Sequence, residues 1–495
     1  MNSLMNAVTR HARRTPRRPA LVWRGAEVSY GALGEQVERY RALIRGLDGA
    51  QGEPLALIAK KSPAAVALIT AALMEHRPLL LPSAELGRIT LNKLVAQAGC
   101  RHVLTVRPEP GAEVQSTLVP GASPVDHQGA ALMLTTSGST GTPKIVPLPP
   151  EALIRFTGWA AGRFGIREGS SVFNYAPLNF DLCLLDIWTT LRAGGRVVLV
   201  DQDQAANPAH LRDLLSTTRP DVVQAVPMLY RLLADPGDPK AHRFPGVKKV
   251  INTGEAPGSA VLAALPELFP DATFYNLYGC TETNDSFLYE FHPDSVASPR
   301  QGAAEGAPLP IGTPVSGVRY LVLASDKTVL TGAGEGELVV STPFQSRGYL
   351  NAPEAAEAFA AQPGSSRSWY HTGDVVRRDD SGVLTLVGRT DHQVKVRGVR
   401  INLQDVEQTL LEHEAVAEAA VVALADPDAG KSLCAVVRRV PGSGLGSLQL
   451  REHCAKRLAR AAIPAKVHIT DDALPRTGTG KVDRQAITHR LTRRR

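Results

Sequence analysis

Short runs of branched aliphatic residues that stop on polar or turn-forming residues, with helical spacings between them, constrain this chain more than any other feature. Arg196-Val197-Val198-Leu199-Val200 ends at Asp201, Asp221-Val222-Val223-Gln224-Ala225-Val226 ends at Pro227, and Val250-Ile251-Asn252 runs into Thr253-Gly254-Glu255. Between them, Leu182, Leu185, Trp188 and Leu191, and later Val261, Leu262, Leu265 and Leu268, recur at helical spacing. Alternation of this kind predicts an α/β fold whose mainly parallel strands are buried, with ligands bound beyond the strand carboxyl ends. After Gly388-Arg389 the pattern changes. A helix over 403–411 with Asn402 as N-cap, strands over 418–424 and 434–440, a helix over 448–462 and a strand over 466–470 form a small α+β unit. The expected division is a large, internally subdivided N-terminal domain over 1–390 and a small C-terminal domain over 391–495, with 106–123, 305–317 and 361–368 read as loops.

Composition excludes several classes. At 495 residues, with 43% hydrophobic and 21% charged residues, the chain is globular rather than fibrous or disordered. The net charge of +7 invites a nucleic-acid reading, but 42 of the 55 cations are arginines scattered along the chain and aromatics make up 5%. No nucleic-acid partner is expected. Five widely spaced cysteines without a CxxC pair point to a reducing cytoplasm, and no apolar run is long enough for a membrane span. The arginines between Arg10 and Arg18 resemble an organellar presequence. Leu4, Val8, His11 and Ala12 ahead of Thr15-Pro16 instead read as one amphipathic helix leading into a strand at Ala20-Leu21-Val22-Trp23.

The strongest chemical signal is Leu134-Thr135-Thr136-Ser137-Gly138-Ser139-Thr140-Gly141-Thr142-Pro143-Lys144 after an apolar run. Glycines let backbone N–H groups turn toward an anion, hydroxyls add donors and the lysine adds a point charge, so the loop suits a polyphosphate. Pro143 stands where a Walker A loop requires glycine before its lysine, which excludes that motif.

The loop resembles the phosphate-binding signature of the adenylate-forming superfamily, which includes acyl-CoA synthetases, luciferases and nonribosomal peptide adenylation domains. Ile145 departs from it, where glycine commonly follows the lysine. Five further segments resemble the family in order. Val28-Ser29-Tyr30-Gly31-Ala32-Leu33 is similar to its first core segment. Asn276-Leu277-Tyr278-Gly279-Cys280-Thr281-Glu282-Thr283 resembles the segment that packs tyrosine on adenine, with Cys280 in place of a common proline. Tyr370-His371-Thr372-Gly373-Asp374 resembles the ribose-binding segment, 388–398 the interdomain hinge, and 474–484 the segment supplying a catalytic lysine. The resemblance implies ATP and Mg²⁺ as cofactors. Thr136, Ser137, Gly138, Ser139, Thr140, Gly141, Lys144, Gly254, Glu255, Ala256, Asn276, Tyr278, Gly279, Thr281, Asp374 and Arg389 are expected around ATP, with Glu282 on the metal. Lys481 would be catalytic, Asp391 the hinge, and Gly398 part of a thiolation tunnel. Each residue taken singly also fits a bland role, such as a core aromatic or a turn carboxylate.

Within that resemblance, Asn179-Phe180-Asp181-Leu182-Cys183-Leu184-Leu185-Asp186 is similar to the segment in which amino-acid-activating members set an aspartate against the substrate ammonium. Asp181 also reads as the N-cap of a helix over 182–192. Positional matching implies a pocket of Leu182, Leu185, Ala225, Ile251, Thr253, Leu277, Asp285 and Ser286, suited to a small or medium α-amino acid. Asp285 either accepts from a substrate donor or faces solvent. The short stretch after Lys481 does not resemble a carrier domain, so a holo carrier protein is expected in trans, as for free-standing adenylation enzymes. The expected activity is formation of an aminoacyl-AMP followed by transfer to the carrier's phosphopantetheine thiol. A CoA ligase of the same superfamily and a catalytically silent ligand-binding homologue remain alternatives.

Overall fold

The computed structural model describes residues 2–49, 52–108, 113–121, 123–136, 143–234, 242–292, 309–361, 368–389, 393–426, 430–476 and 482–493. Among them the strands form sheets of nine, six, five, three and two. The nine-stranded sheet has the order Thr313–Pro314, Asn284–Phe291, Thr273–Cys280, Lys249–Thr253, Val222–Ala225, Ser171–Asn174, Arg196–Leu199, Pro19–Trp23 and Ala26–Ser29. Every pairing from Thr273–Cys280 across to Pro19–Trp23 is parallel, and antiparallel strands close both edges. The fold is therefore α/β, and the three strands read from aliphatic runs lie side by side or one apart in its buried centre.

Its partner is the six-stranded sheet, ordered Val114–Leu118, His102–Val106, Leu55–Ile58, Leu79–Leu80, Leu132–Thr136 and Lys144–Leu148. The helix Pro63–Met74 starts sharply because Pro63 sits in its first turn and Ser62 accepts the Ala65 N–H at 3.2 Å. Residues Ala64–Leu73 are buried on every side, in one apolar cluster with Val172, Ile251 and Leu277 of the larger sheet. The first helix, Asn2–Arg14, adds Val8 to the same cluster.

Several expectations fail, among them the loop over 305–317, which holds the edge strand Thr313–Pro314. The stretch 106–123 holds the edge strand Val114–Leu118, whose polar, mostly exposed residues carry no alternation to announce it. The helix expected over 182–192 is a π-helix, Leu184–Thr189, followed by one α-turn, Thr190–Ala193. The cause is polar: the Asp186 carboxylate accepts from Asn174 Nδ2 at 3.0 Å and Gln224 Nε2 at 3.1 Å, and the wider turn lets this buried side chain reach both amides. No side chain caps the π-helix, so Asp181 is not its N-cap.

The chain condenses into two compact units, one of residues 1–82, 95–135 and 145–390, the other of 83–94, 136–144 and 391–495. The smaller unit has its own core, with Val406, Leu410, Val421, Val437 and Leu450. Asn402 caps the helix Leu403–Leu411 by accepting the Gln404 N–H at 3.0 Å. The helix expected over 448–462 ends at Ala455, and Leu458 turns back into the core before a single 3₁₀ turn at Arg460–Ala462. Among the described residues no helix is long and apolar enough to cross a membrane.

Candidate active site

In the larger unit the edge hairpin Thr273–Cys280 and Asn284–Phe291 carries the adenine-segment residues. A bulge after Tyr278 brings Gly279 opposite Asp285, so close that a Cβ on Gly279 would lie 2.3 Å from the Asn284 carbonyl oxygen. Only glycine fits there. The turn at Thr281–Thr283 is fastened from outside: Ser346 N–H donates to the Glu282 carbonyl at 2.8 Å, and Thr342 Oγ1 donates to the Thr283 carbonyl at 2.9 Å.

Tyr278 and Asp374 meet, although 96 residues separate them. The phenol donates to Asp374 Oδ2, and Arg389 donates from Nη1 to Oδ1 and from Nη2 to the Thr372 carbonyl, the latter at 3.0 Å. Cross-strand register sets this up, because Asp374 pairs with Arg389 in the five-stranded sheet. Burial, followed by the Asp374 charge, pushes the Tyr278 hydroxyl well above its usual range, so it remains a donor.

Glu282 is 2% exposed, and its Oε1 accepts from Tyr349 OH at 2.8 Å; Tyr349 OH lies 3.2 Å from Tyr370 OH. Burial, then Glu282, raises the Tyr349 hydroxyl. Sequence reasoning missed Tyr349, which stands in no recognised segment. Among the described residues no group of three or more His, Cys, Asp or Glu forms a metal cage. A single buried carboxylate fits an ion such as Mg²⁺, which keeps waters and takes its other oxygens from a bound phosphate. The donor set is therefore compatible with Mg²⁺ at Glu282.

Asn252 and Asn276 are neighbours in parallel strands, and Asn252 Nδ2 donates to Asn276 Oδ1 and to the Glu255 carbonyl, each at 2.9 Å. Asn276 in turn donates to the Pro310 carbonyl at 2.8 Å. These bonds fix the turn after Lys249–Thr253, where Gly254 has φ +81° and Ala256 is exposed.

The residues expected to line a substrate pocket divide between the two faces of the sheet. Leu182, Leu185, Ile251 and Leu277 share one apolar cluster, with Thr253 on the same strand face as Ile251. Ala225 does not join them. It pairs with Asn252 and packs with Leu229 and Tyr230 on the opposite face, while Gln224 stands beside Ile251 and donates to the Leu182 carbonyl at 3.1 Å. Ser286 is buried, with its hydroxyl 3.0 Å from the Asn284 carbonyl. Asp285 is partly exposed, and its charge is felt at Asp186, whose carboxyl is raised chiefly by burial. Asp181 is partly exposed, and its backbone carbonyl accepts the Leu184 N–H at 2.8 Å.

Sequence reading also missed a polar cluster beneath this turn. Lys61 is fully buried, and its ammonium donates to the carbonyls of Asn174, Tyr175 and Ala176 at 3.0, 3.1 and 3.0 Å. Three donors meet three acceptors, which lets a charge sit where burial pushes its pKa down to about 8. No motif distinguishes Lys61 from the adjacent exposed Lys60.

Thr136 closes the strand Leu132–Thr136 and Lys144 opens its neighbour Lys144–Leu148. Ile145 is buried, with its N–H on Asn351 Oδ1 at 2.7 Å and its carbonyl taking the Leu350 N–H at 2.9 Å. This position is a core strand residue and needs no glycine. In the smaller unit Gly398 (φ +80°) follows Arg397 (φ +52°) in the two-residue turn between Gln393–Val396 and Val399–Asn402, as a hairpin turn with two left-handed residues requires. Ser137, Gly138, Ser139, Thr140, Gly141, Asp391 and Lys481 lie outside the described residues.

Comparison with known proteins finds relatives along nearly the whole chain. The chain is 32% identical to an L-proline--[L-prolyl-carrier protein] ligase of Pseudomonas fluorescens, over 97% of each chain. It is 26% identical to a D-alanine--D-alanyl carrier protein ligase of Bacillus cereus, over 99% of each. The structure superposes on the amide bond synthetase McbA from Marinactinospora thermotolerans with a TM-score of 0.81 at 22% identity, covering 99% of both chains, a likeness of fold. Residues 405–481 match the AMP-binding enzyme C-terminal domain, and residues 8–350 match the AMP-binding enzyme family, to which this chain belongs.

Proposed function

We propose that the protein is an ATP-dependent, AMP-forming amino acid:carrier-protein ligase. It joins a small or medium α-amino acid to AMP with release of pyrophosphate, then passes the aminoacyl group to the phosphopantetheine thiol of a separate holo carrier protein. The observation that carries the reading is the end-to-end similarity to two carrier-protein ligases together with the buried Tyr278–Asp374–Arg389 cluster, a nucleoside site in waiting. The odd number and wide spacing of the cysteines, with no CxxC pair, support a reducing cytoplasm as the setting.

The chemistry opposes two anions, a substrate carboxylate and the α-phosphate of ATP. Tyr278 offers a ring face to adenine while its hydroxyl holds Asp374, and Asp374 accepts the ribose hydroxyls. Lys144 and the 136–141 hydroxyls and amides neutralise the outer phosphates, with the turn of Gly254, Glu255 and Ala256 and residues Gly279 and Thr281 completing the wall. Mg²⁺, when bound, supplies charge neutralisation of the phosphate oxygens, and Glu282, steadied by Tyr349, is the residue that would hold it. Asp181 pairs with the substrate ammonium, so the bound cation matches a carboxylate that substrate binding desolvates. Lys481 holds the carboxylate against the α-phosphate, so proximity replaces a bimolecular encounter. Movement of the 391–495 domain about Asp391 withdraws Lys481 and brings Gly398 to the thiol path.

The decisive experiment is pyrophosphate exchange across a panel of amino acids, followed by loading of a holo carrier protein. Exchange with one or a few small amino acids, lost in Asp181→Ala, is expected. Exchange driven only by fatty or aryl acids, or indifferent to Asp181→Ala, would overturn the amino-acid assignment; discharge by free CoA but not by carrier would make it a CoA ligase.

A further inference from the structure

The turn over 177–182 that carries Asp181 is fastened at both ends by buried polar side chains, all of them in the larger unit. At its entry the successive carbonyls of Asn174, Tyr175 and Ala176 converge on the Lys61 ammonium, and Cys183 Sγ donates to the next carbonyl, that of Pro177, at 3.1 Å. Lys61 is itself held in place. It adjoins Ser62, the cap of the helix Pro63–Met74, and its N–H donates to Gln202 Oε1 at 2.7 Å. At the exit of the turn, Gln224 Nε2 holds the Leu182 carbonyl and one oxygen of Asp186, and Asn174 Nδ2 holds the other oxygen. Asn174 thereby serves both ends, with its carbonyl on Lys61 and its amide on Asp186. Lys61, Asn174, Asp186 and Gln224 are each no more than 1% exposed.

Attachment of the turn does not need these groups. Leu178, Cys183, Leu184 and Leu185 already lie in the large apolar cluster, with Phe180 and Leu182 packed against it. Apolar burial is non-directional, so it sets how deep a segment sits and leaves its angle loose. Hydrogen bonds at both ends set that angle. Buried charges are also a poor way to gain stability, since apolar replacements of similar volume often serve as well. Resting on the role proposed above for Asp181, we infer that Lys61, Asn174 and Asp186 are positioning residues for the amino acid, setting where the Asp181 carboxylate stands to meet the substrate ammonium. Their effect passes through Asp181, so it bears on an acid that carries the ammonium and spares one that lacks it.

The test uses the full chain and Asp186→Asn, which keeps the shape of the side chain and sets an amide donor against the donor of Asn174 or Gln224. The probes are the amino acid that drives pyrophosphate exchange best and its deamino acid, which has the same side chain and carboxylate but no amine. KM for the amino acid should rise about tenfold or more, on the scale of a misplacement near 1 Å, with KM for ATP within about twofold. Inhibition of exchange by the deamino acid should keep its wild-type Ki, which general loosening of the pocket would not preserve. Adding Asn174→Asp to Asp186→Asn exchanges donor and acceptor across the pair, still leaves Gln224 an oxygen to bond, and should recover most of the loss. In an Asp181→Ala background, adding Asp186→Asn should raise KM no further. Parallel losses for the amino acid and the deamino acid, no recovery in the exchanged pair, or additive losses with Asp181→Ala would overturn the inference. An unchanged amino-acid KM in Asp181→Ala itself would instead sink the reading on which it rests, a separate result. If Asp186→Asn does not fold, Cys183→Ala, which removes the tether on the Pro177 carbonyl, should show the same split at smaller size, and wild-type KM there would count against positioning.

Discussion

Replacing Tyr278 by Phe removes one oxygen and leaves the ring. The ring keeps its edge-on contact with Phe287, centroids 6.0 Å apart, and its face for a base. What disappears is the bond to Asp374 Oδ2, while Arg389 keeps its hold on Oδ1 and on the Thr372 carbonyl. A hydrogen bond from a neutral donor to a buried charged acceptor is worth about 1.5–3 kcal/mol. Asp374 is 7% exposed, so water does not replace the lost donor and the full range applies. All four tryptophans, Trp23, Trp159, Trp188 and Trp369, belong to the larger unit, so fluorescence during urea unfolding reports on that unit alone. The expected result is a stability loss of about 1.5–3 kcal/mol with the urea dependence unchanged. If the freed carboxylate loses its aim at the ribose, KM for ATP should rise by up to about tenfold, equivalent to about 1.4 kcal/mol, with the amino-acid KM unaffected. A stability loss below about 0.5 kcal/mol, far under the range for such a bond, would refute the buried bond. A clear stability loss with an unchanged KM for ATP would refute the role of Asp374 at the ribose.

Three more outcomes follow from the geometry. Gly279→Ala must push the backbone of Asn284 and Asp285 aside, so at least about 2 kcal/mol of stability and most exchange activity should be lost; a near-neutral variant would contradict the close approach. Gln224→Leu should change which amino acids drive pyrophosphate exchange, whereas Ala225→Val, on the opposite face, should lower thermal stability while leaving selectivity alone; the reverse pattern would restore Ala225 to the pocket. Glu337 is held down to about 2 by its bond to His371, with Lys327 adding to the effect against burial. Its folded pKa lies below its unfolded value, so the stability it contributes is present above pH 4.5 and is lost as the pH falls toward 2. Discounted for partial solvent screening this is about 1–2 kcal/mol, and acid unfolding of Glu337→Gln should lack that component.

Legibility from sequence tracked how local the determining physics is. Asn402 announces its helix because a cap is a bond to an N–H two residues on. The buried strands announce themselves because burial on both faces demands unbroken aliphatic runs. The π-helix was invisible, since the amides that shape it sit on Asn174 and Gln224, in other strands. That Gln224 and not Ala225 stands beside Ile251 has the same origin: strand registers decide which of two consecutive residues faces it, and a shift of one inverts the face. Tyr278, Asp374 and Arg389 were each recognisable by resemblance, but that one carboxylate joins them emerges only from the pairing of strands far apart in the chain. Tyr349 and Lys61 carry no local signature, because their meaning lies wholly in what surrounds them.

The helix Pro63–Met74 has a consequence for synthesis. It has no polar side, and the strands that share its cluster, ending with Thr273–Cys280, are translated about 200 residues later. At 5–20 residues per second that interval is roughly 10–40 s. Throughout it the nascent chain presents a greasy rod with part of its cover still unmade. Ribosome-associated chaperones should therefore engage this protein early, and slow codons between the six-stranded and nine-stranded sheets should lower its soluble yield.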